Sequence, residues 1–180
     1  MTKVMRANAP ITKLKLKLKQ DDQPCISSST SLISPRKLNE ETQSCVEVIP
    51  GLFLGNYRSA CNEQTLLVHK IDVIVNLVSA LPNKFPDHII YENFTVADVP
   101  SFDLNESIEG VLPIIHRHLS SEKRVFVHCR HGISRSPSVI LAYLMRYSGM
   151  SFDQAFTFLR NKKANIDPNF GFLVQLQRIK

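Results

Sequence analysis

Paired cysteines, long apolar runs and early acidic residues are all missing from this 180-residue chain. Cys25, Cys45, Cys61 and Cys129 form no paired motif, whereas a structural zinc site needs four ligands at matched spacings. Cys129, His128 and His131 cluster in sequence but are too few. His116 and His118 lie two apart on a helical stretch, where such residues do not share a face. No metal site is expected. No apolar run approaches the ~18 residues of a membrane-spanning helix, so none is expected either. The first residues do not read as a secretory signal, and scattered cysteines then suit free thiols in a reducing compartment, cytoplasmic or nuclear.

The missing acids shape the first quarter of the chain. No Asp or Glu precedes Asp21, so Lys13-Leu-Lys-Leu-Lys-Leu-Lys19 stands as an uncompensated basic stretch with strand-like alternation. Residues 1–44 carry 8 basic and 4 acidic side chains, are rich in Ser, Thr, Lys and Pro and lack an amphipathic helix, which predicts a disordered basic tail. Residues 45–180 hold the aromatics and a dense succession of apolar segments, as one folded domain requires. The net charge of +6 therefore divides unevenly, because 14 basic against 12 acidic residues leave the folded part nearly neutral. A broad nucleic-acid footprint is not expected of it.

Within the folded part, short strands are predicted at about Val46 to Ile49, Leu52 to Leu54, Asp72 to Leu77, Ile89 to Val96 and Lys123 to His128. Helices are predicted at Asn62 to His69 and along the apolar stripe Leu104, Ile108, Val111, Leu112, Ile115 and Leu119, with a kink at Pro113. Others follow at Ser136 to Tyr147, after the capping pattern Ser151-Phe-Asp-Gln154, and through Phe172, Leu176 and Ile179. Strands interleaved with helices imply an α/β layered fold: a central twisted sheet of about five strands flanked by helices.

The chemistry is concentrated in His128-Cys129-Arg130-His131-Gly132-Ile133-Ser134-Arg135-Ser136. Apolar Val125-Phe126-Val127 leads in and Pro137 opens a helical pattern. A strand, a tight loop and a helix start point successive N–H groups into one concavity, which makes an anion site. Arg135 can grip two oxygens of a phosphoryl group with paired donors, a fork that Lys lacks. Cys129, at the mouth of the strand, then lies nearest phosphorus. A free thiol of pKa about 8.5 is only ~3% thiolate at neutral pH. A nucleophilic role therefore asks the loop amides, the helix start and Arg135 to hold the sulfur as an anion, with His128 and the Ser136 hydroxyl adding hydrogen bonds around it.

These residues resemble the signature of the cysteine-dependent phosphatases, His-Cys-five residues-Arg, and in particular that of the small dual-specificity phosphatases. The likeness covers roughly Val46 to Lys180. It includes Gly51-Leu52-Phe53-Leu54-Gly55-Asn56, Asp98, Ser-Arg-Ser-Pro at 134–137 and Asn165-Ile-Asp-Pro-Asn169-Phe-Gly-Phe172. The resemblance implies a phosphatase-like single domain at 45–180 that hydrolyses phosphotyrosine and phosphoserine or phosphothreonine through a phosphocysteine intermediate, without metal or cofactor. Cys129 is the implied nucleophile, and Asp98 the acid that protonates the leaving oxygen and then the base for water. Arg135 would hold the equatorial oxygens, Ser136 would help the sulfur leave, and Arg130, His131, Gly132, Ile133 and Ser134 would bind phosphate mainly through their amides. Asp103 and Glu106 are fallback carboxylates, although Asp103 equally suits a helix cap.

A phosphoprotein substrate and a monomer are expected. Three other readings share the fold: an RNA 5′-triphosphatase, a phosphoinositide phosphatase and a non-catalytic phosphate-binding adaptor. His131 bears on the first, because many phosphatases of this type carry a small, apolar or acidic residue there, and a His-Gly pair resembles the loop of the RNA 5′-triphosphatases. The same residue also reads as a solvent-facing loop histidine, or as part of a basic rim for multiply phosphorylated substrates. The Lys/Leu tail reads as solvated chain, as a docking site for kinases of the mitogen-activated type, or as a segment for an anionic membrane surface or an organelle.

Overall fold

Val46–Ile49 (β1) and Leu52–Asn56 (β2) pair as an antiparallel hairpin across Pro50-Gly51 in the computed structural model, which describes residues 44–179. The readings attached to Lys13–Lys19 lie outside these residues. Val73–Asn76 (β3), Ile90–Asn93 (β4) and Val125–Cys129 (β5) complete a five-stranded sheet in the order β1-β2-β5-β3-β4. All neighbours but the first hairpin run parallel. Every residue of β3 and β5 is buried, as central strands covered on both faces must be.

Period-two alternation along β5 sends Val125, Val127 and Cys129 to the larger core and Phe126 to the smaller one. The larger core is filled from Leu104–Ser120 (α3), Arg135–Ser148 (α4), Phe152–Lys162 (α5) and Phe170–Leu176 (α6). On the other face, Phe53, Ile74 and Phe126 pack with Ala60 of Tyr57–Ala60 (α1) and Leu66 of Glu63–Val68 (α2). The signature loop leaves the carboxyl end of β5, the strand between β2 and β3, where open α/β sheets bind ligands.

Local signals explain most boundaries. Ser151 and Gln154 form the expected capping box at the start of α5, an arrangement worth about 1 kcal/mol. The four-residue α1 carries no apolar period to announce it; Asn56 makes it by accepting from the Ser59 amide at 2.9 Å. β4 ends at Asn93, short of the expected Val96, because the regular parallel ladder with β3 stops at Asn76, whose Oδ1 accepts from the Val78 amide at 3.0 Å; beyond it only an isolated bridge, Val78 with Thr95, remains. α3 runs unbroken through Pro113, which is exposed, so the missing N–H falls on the solvent side of the helix. No helix among the described residues is long and apolar enough to cross a membrane.

Candidate active site

Cys129 ends β5 and is 1% exposed, and two donors are aimed at its sulfur. The Gly132 amide and the Ser136 hydroxyl each lie 3.2 Å from Sγ. Gly132 reaches that position only because it lacks a side chain. Its φ is +71°, and a Cβ there would sit 2.6 Å from the carbonyl oxygen of Gly55. Gly132→Ala is therefore expected to displace the amide from the sulfur, lowering kcat/KM by about 10-fold or more and stability by about 1–3 kcal/mol. Full activity at an unchanged melting temperature would refute this reading of the loop.

The loop hands over to α4 with its helix start left open. Ser134 occupies the N-cap position yet makes no capping bond. Its hydroxyl instead donates to Asp98 Oδ1 at 2.6 Å, which leaves the first-turn amides, without intrahelical acceptors, available to an oxyanion. The phosphate-binding role expected of Ser134 was its amide; the side chain turns out to bind the acid. Arg135 is 11% exposed, with Nη1 donating to the Val96 carbonyl at 3.4 Å and Nε at ion-pair distance, 3.4 Å, from Asp98 Oδ2. Alignment across that gap is poor, so the buried Nε–H has no hydrogen-bond partner among the described residues.

Asp98 lies in the segment joining β4 to α3, far from the signature in sequence but beside it in space. Besides Ser134, Asn169 donates to Oδ1 through Nδ2 at 3.0 Å. The fallback carboxylates are otherwise engaged. Asp103 caps α3, accepting from the Asn105 amide at 2.9 Å, and Glu106 is exposed on the first turn of that helix.

His128 departs from its expected place around the sulfur. Its Nδ1 lies 3.3 Å from the backbone carbonyl of Cys129, and its ring packs between Tyr57 and Phe126 at centroid separations of 6.0 and 5.9 Å. The side chain on β5 preceding the cysteine points to the opposite sheet face, so alternation forbids both from meeting at one point. Burial pushes the His128 pKa down from 6.5 to about 4. Below about pH 6.5 the unfolded chain binds a proton that the native ring refuses until about pH 4. Stability present above that window thus falls as the pH drops through it, by about 3 kcal/mol in full. Urea unfolding should show His128→Gln losing less stability than wild type between neutral pH and about pH 4.5; equal losses would contradict it.

The rest of the loop is fixed by its backbone. Arg130 and His131 are exposed; the Arg130 carbonyl accepts from the Tyr57 amide at 3.3 Å and the Ile133 carbonyl from the Asp167 amide at 2.8 Å. Two residues near the site were not foreseen. Asn169 is one. The other is Lys163, 8% exposed, whose pKa is lowered by burial against the opposing pull of Cys129 and Cys45. Cys45 itself is buried, its thiol pushed up to about 12.

His116 and His118 have protein partners. His116 stacks on Tyr147 at 4.1 Å and its Nδ1 lies 3.2 Å from the Tyr143 hydroxyl, while His118 Nε2 meets Glu92 at 2.8 Å. Among the described residues no group of three or more His, Cys, Asp or Glu is placed to hold a metal ion.

The family model described as the dual specificity phosphatase catalytic domain matches residues 52–180. Dual specificity protein phosphatase Mpk3 of Drosophila melanogaster is 40% identical over 134 residues, 73% of this chain and 33% of that protein. The chain spans about a third of the length of the curated relatives it matches. A mouse putative dual specificity phosphatase, solved in complex with zinc tungstate, superposes with a TM-score of 0.72 at 31% identity, covering 84% of this chain and 91% of that one. Human DUSP28 superposes with a TM-score of 0.70, also at 31% identity, over 75% and 91% of the two chains. With a matching domain and a signature loop built as described, the chain belongs to the dual specificity phosphatase family.

Proposed function

We propose that this chain hydrolyses phosphate monoesters on tyrosine and on serine or threonine of protein substrates, through a phosphocysteine intermediate. One observation carries the reading: a buried N–H of Arg135 with no hydrogen-bond partner among the described residues, at a loop and helix start that also aim an amide and a hydroxyl at a cysteine sulfur. Leaving such a donor unmet costs about 1–3 kcal/mol, a cost that an oxyanion seated in the loop would offset.

The proposed steps use the groups gathered at the site. The Cys129 thiolate attacks phosphorus, the S–P bond forms and the P–O bond to the substrate breaks, while Asp98 gives its proton to the departing oxygen. Oδ1 of Asp98 already accepts two hydrogen bonds, so the proton moves from Oδ2, the oxygen facing Arg135. With phosphate bound, the guanidinium gives its donors to the equatorial oxygens, and Oδ2, which holds no hydrogen bond from Arg135, is open for that task. Water then attacks phosphorus and yields its proton to Asp98, and the S–P bond breaks as the Ser136 hydroxyl, 3.2 Å from Sγ, stabilises the returning thiolate.

The RNA 5′-triphosphatase reading leaned on the His131-Gly132 pair. Gly132 is accounted for by its φ and its contact with Gly55, which leaves the exposed His131 as that reading's sole support. A panel of phosphotyrosine and phosphothreonine peptides, an inositol phospholipid and a 5′-triphosphorylated RNA, assayed for released phosphate, tests the proposal. Turnover is expected on the peptides of both kinds. Turnover confined to the lipid or the RNA, or on none, would overturn it.

A further inference from the structure

We infer that Asn169 is a positioning residue for the acid: it fixes which oxygen of Asp98 carries the transferable proton and holds that oxygen toward the site. The inference rests on the phosphatase reading above. Asn169 stands at the start of α6 and does three things at once. Its Oδ1 accepts from the Phe172 amide at 3.0 Å and caps the helix; its Nδ2 donates to Asp98 Oδ1 at 3.0 Å; its backbone amide donates to Ser134 Oγ at 3.1 Å, the hydroxyl that itself bonds Asp98. The cap decides the orientation of the amide, since a flipped Asn169 would set N–H against N–H at Phe172. The NH2 group must therefore face Asp98.

An oxygen that already accepts from Ser134 and Asn169 has little capacity left for a proton. Oδ1 is the anchored atom and Oδ2 the working one. The rest of α6 holds the acid segment from the same side. Gln175 accepts from the Leu104 amide at 2.8 Å and donates to the Phe102 carbonyl at 2.9 Å. Phe172 meets Phe102 edge to face, and a Cβ on Gly171 would lie 1.9 Å from the Pro100 carbonyl oxygen. Residues 98–104 thus lie on α6 along its length. With Asn169 at one end and Gln175 at the other, the acid is placed before substrate arrives rather than recruited by it.

The experiment separates the cap from the clamp. Asn169→Ser keeps a good N-cap oxygen but removes the donor to Asp98. Wild type, Asn169→Ser, Asp98→Asn and the double variant are assayed on phenyl phosphate, whose leaving group needs a proton, and on p-nitrophenyl phosphate, whose leaving group does not. The expected result for Asn169→Ser is about a 10- to 100-fold loss of kcat on phenyl phosphate, a loss of about 3-fold or less on p-nitrophenyl phosphate, and no further loss when added to Asp98→Asn. Equal slowing of both substrates, or an undiminished loss on the Asp98→Asn background, would reduce Asn169 to a structural role and overturn the inference. Should Asn169→Ser fail to fold, Asn169→Thr, which also caps and adds no charge beside Asp98, takes its place with the same two criteria. A wild type inert on both esters would overturn the phosphatase reading instead, so the two failures are distinct.

Discussion

Replacing Cys129 with serine should abolish hydrolysis of aryl phosphates and phosphopeptides, with kcat falling by about 10⁴-fold or more while the melting temperature stays within a few degrees. The substituted hydroxyl would occupy nearly the volume of the thiol and keep its contacts, so the fold is spared. It would not be a nucleophile. The groups that meet Sγ, the Gly132 amide and the Ser136 hydroxyl, are hydrogen-bond donors to the sulfur and not bases; neither can take a proton from a serine. His128 offers no help, because its Nδ1 is turned to the Cys129 carbonyl. Cys45 is no substitute, because it is buried and burial pushes its thiol up to about 12. Turnover surviving in Cys129→Ser would remove the proposed nucleophile.

Asp98→Asn should follow as the second largest effect, and its signature is selective. The amide oxygen can still accept from Ser134 and Asn169, so the segment stays anchored, but no proton is available where Oδ2 stood. Phenyl phosphate turnover should drop by about 10²- to 10³-fold and p-nitrophenyl phosphate turnover by only a few-fold, since general acid catalysis matters in proportion to how badly the leaving group needs the proton. A steady-state comparison of the two esters measures it. Equal slowing would mean that Asp98 holds the site together rather than feeding it protons, and the acid would have to be sought elsewhere.

Much of this was legible from residue order because short-range physics dictates it. An apolar β-branched run, a glycine, a hydroxyl, an arginine and a proline spell strand, loop and helix start within a dozen residues, and Cys129, Arg135 and Ser136 fall where that pattern puts them. The capping box at Ser151 and the apolar stripe of α3 were equally plain. His128 lies away from the sulfur because neighbours on β5 face opposite ways, a consequence of strand alternation. Asn169 lay within a recognised segment, but nothing local to it declares a partner 71 residues away.

The linear chain alone determined most of the strands and helices, the strand-loop-helix passage around 125–136 and the identity of its thiol and guanidinium, because each depends on backbone preferences and side-chain types within a few residues. Tertiary structure decided what no window of sequence contains: that Ser134 leaves its helix uncapped to bind Asp98, that Arg135 Nε is buried with no hydrogen-bond partner among the described residues, and that α6 lies along the acid segment. Those are relations between surfaces brought together by the burial of the sheet, and the hydrogen bonds among them form only once water has been excluded and the partners share one place.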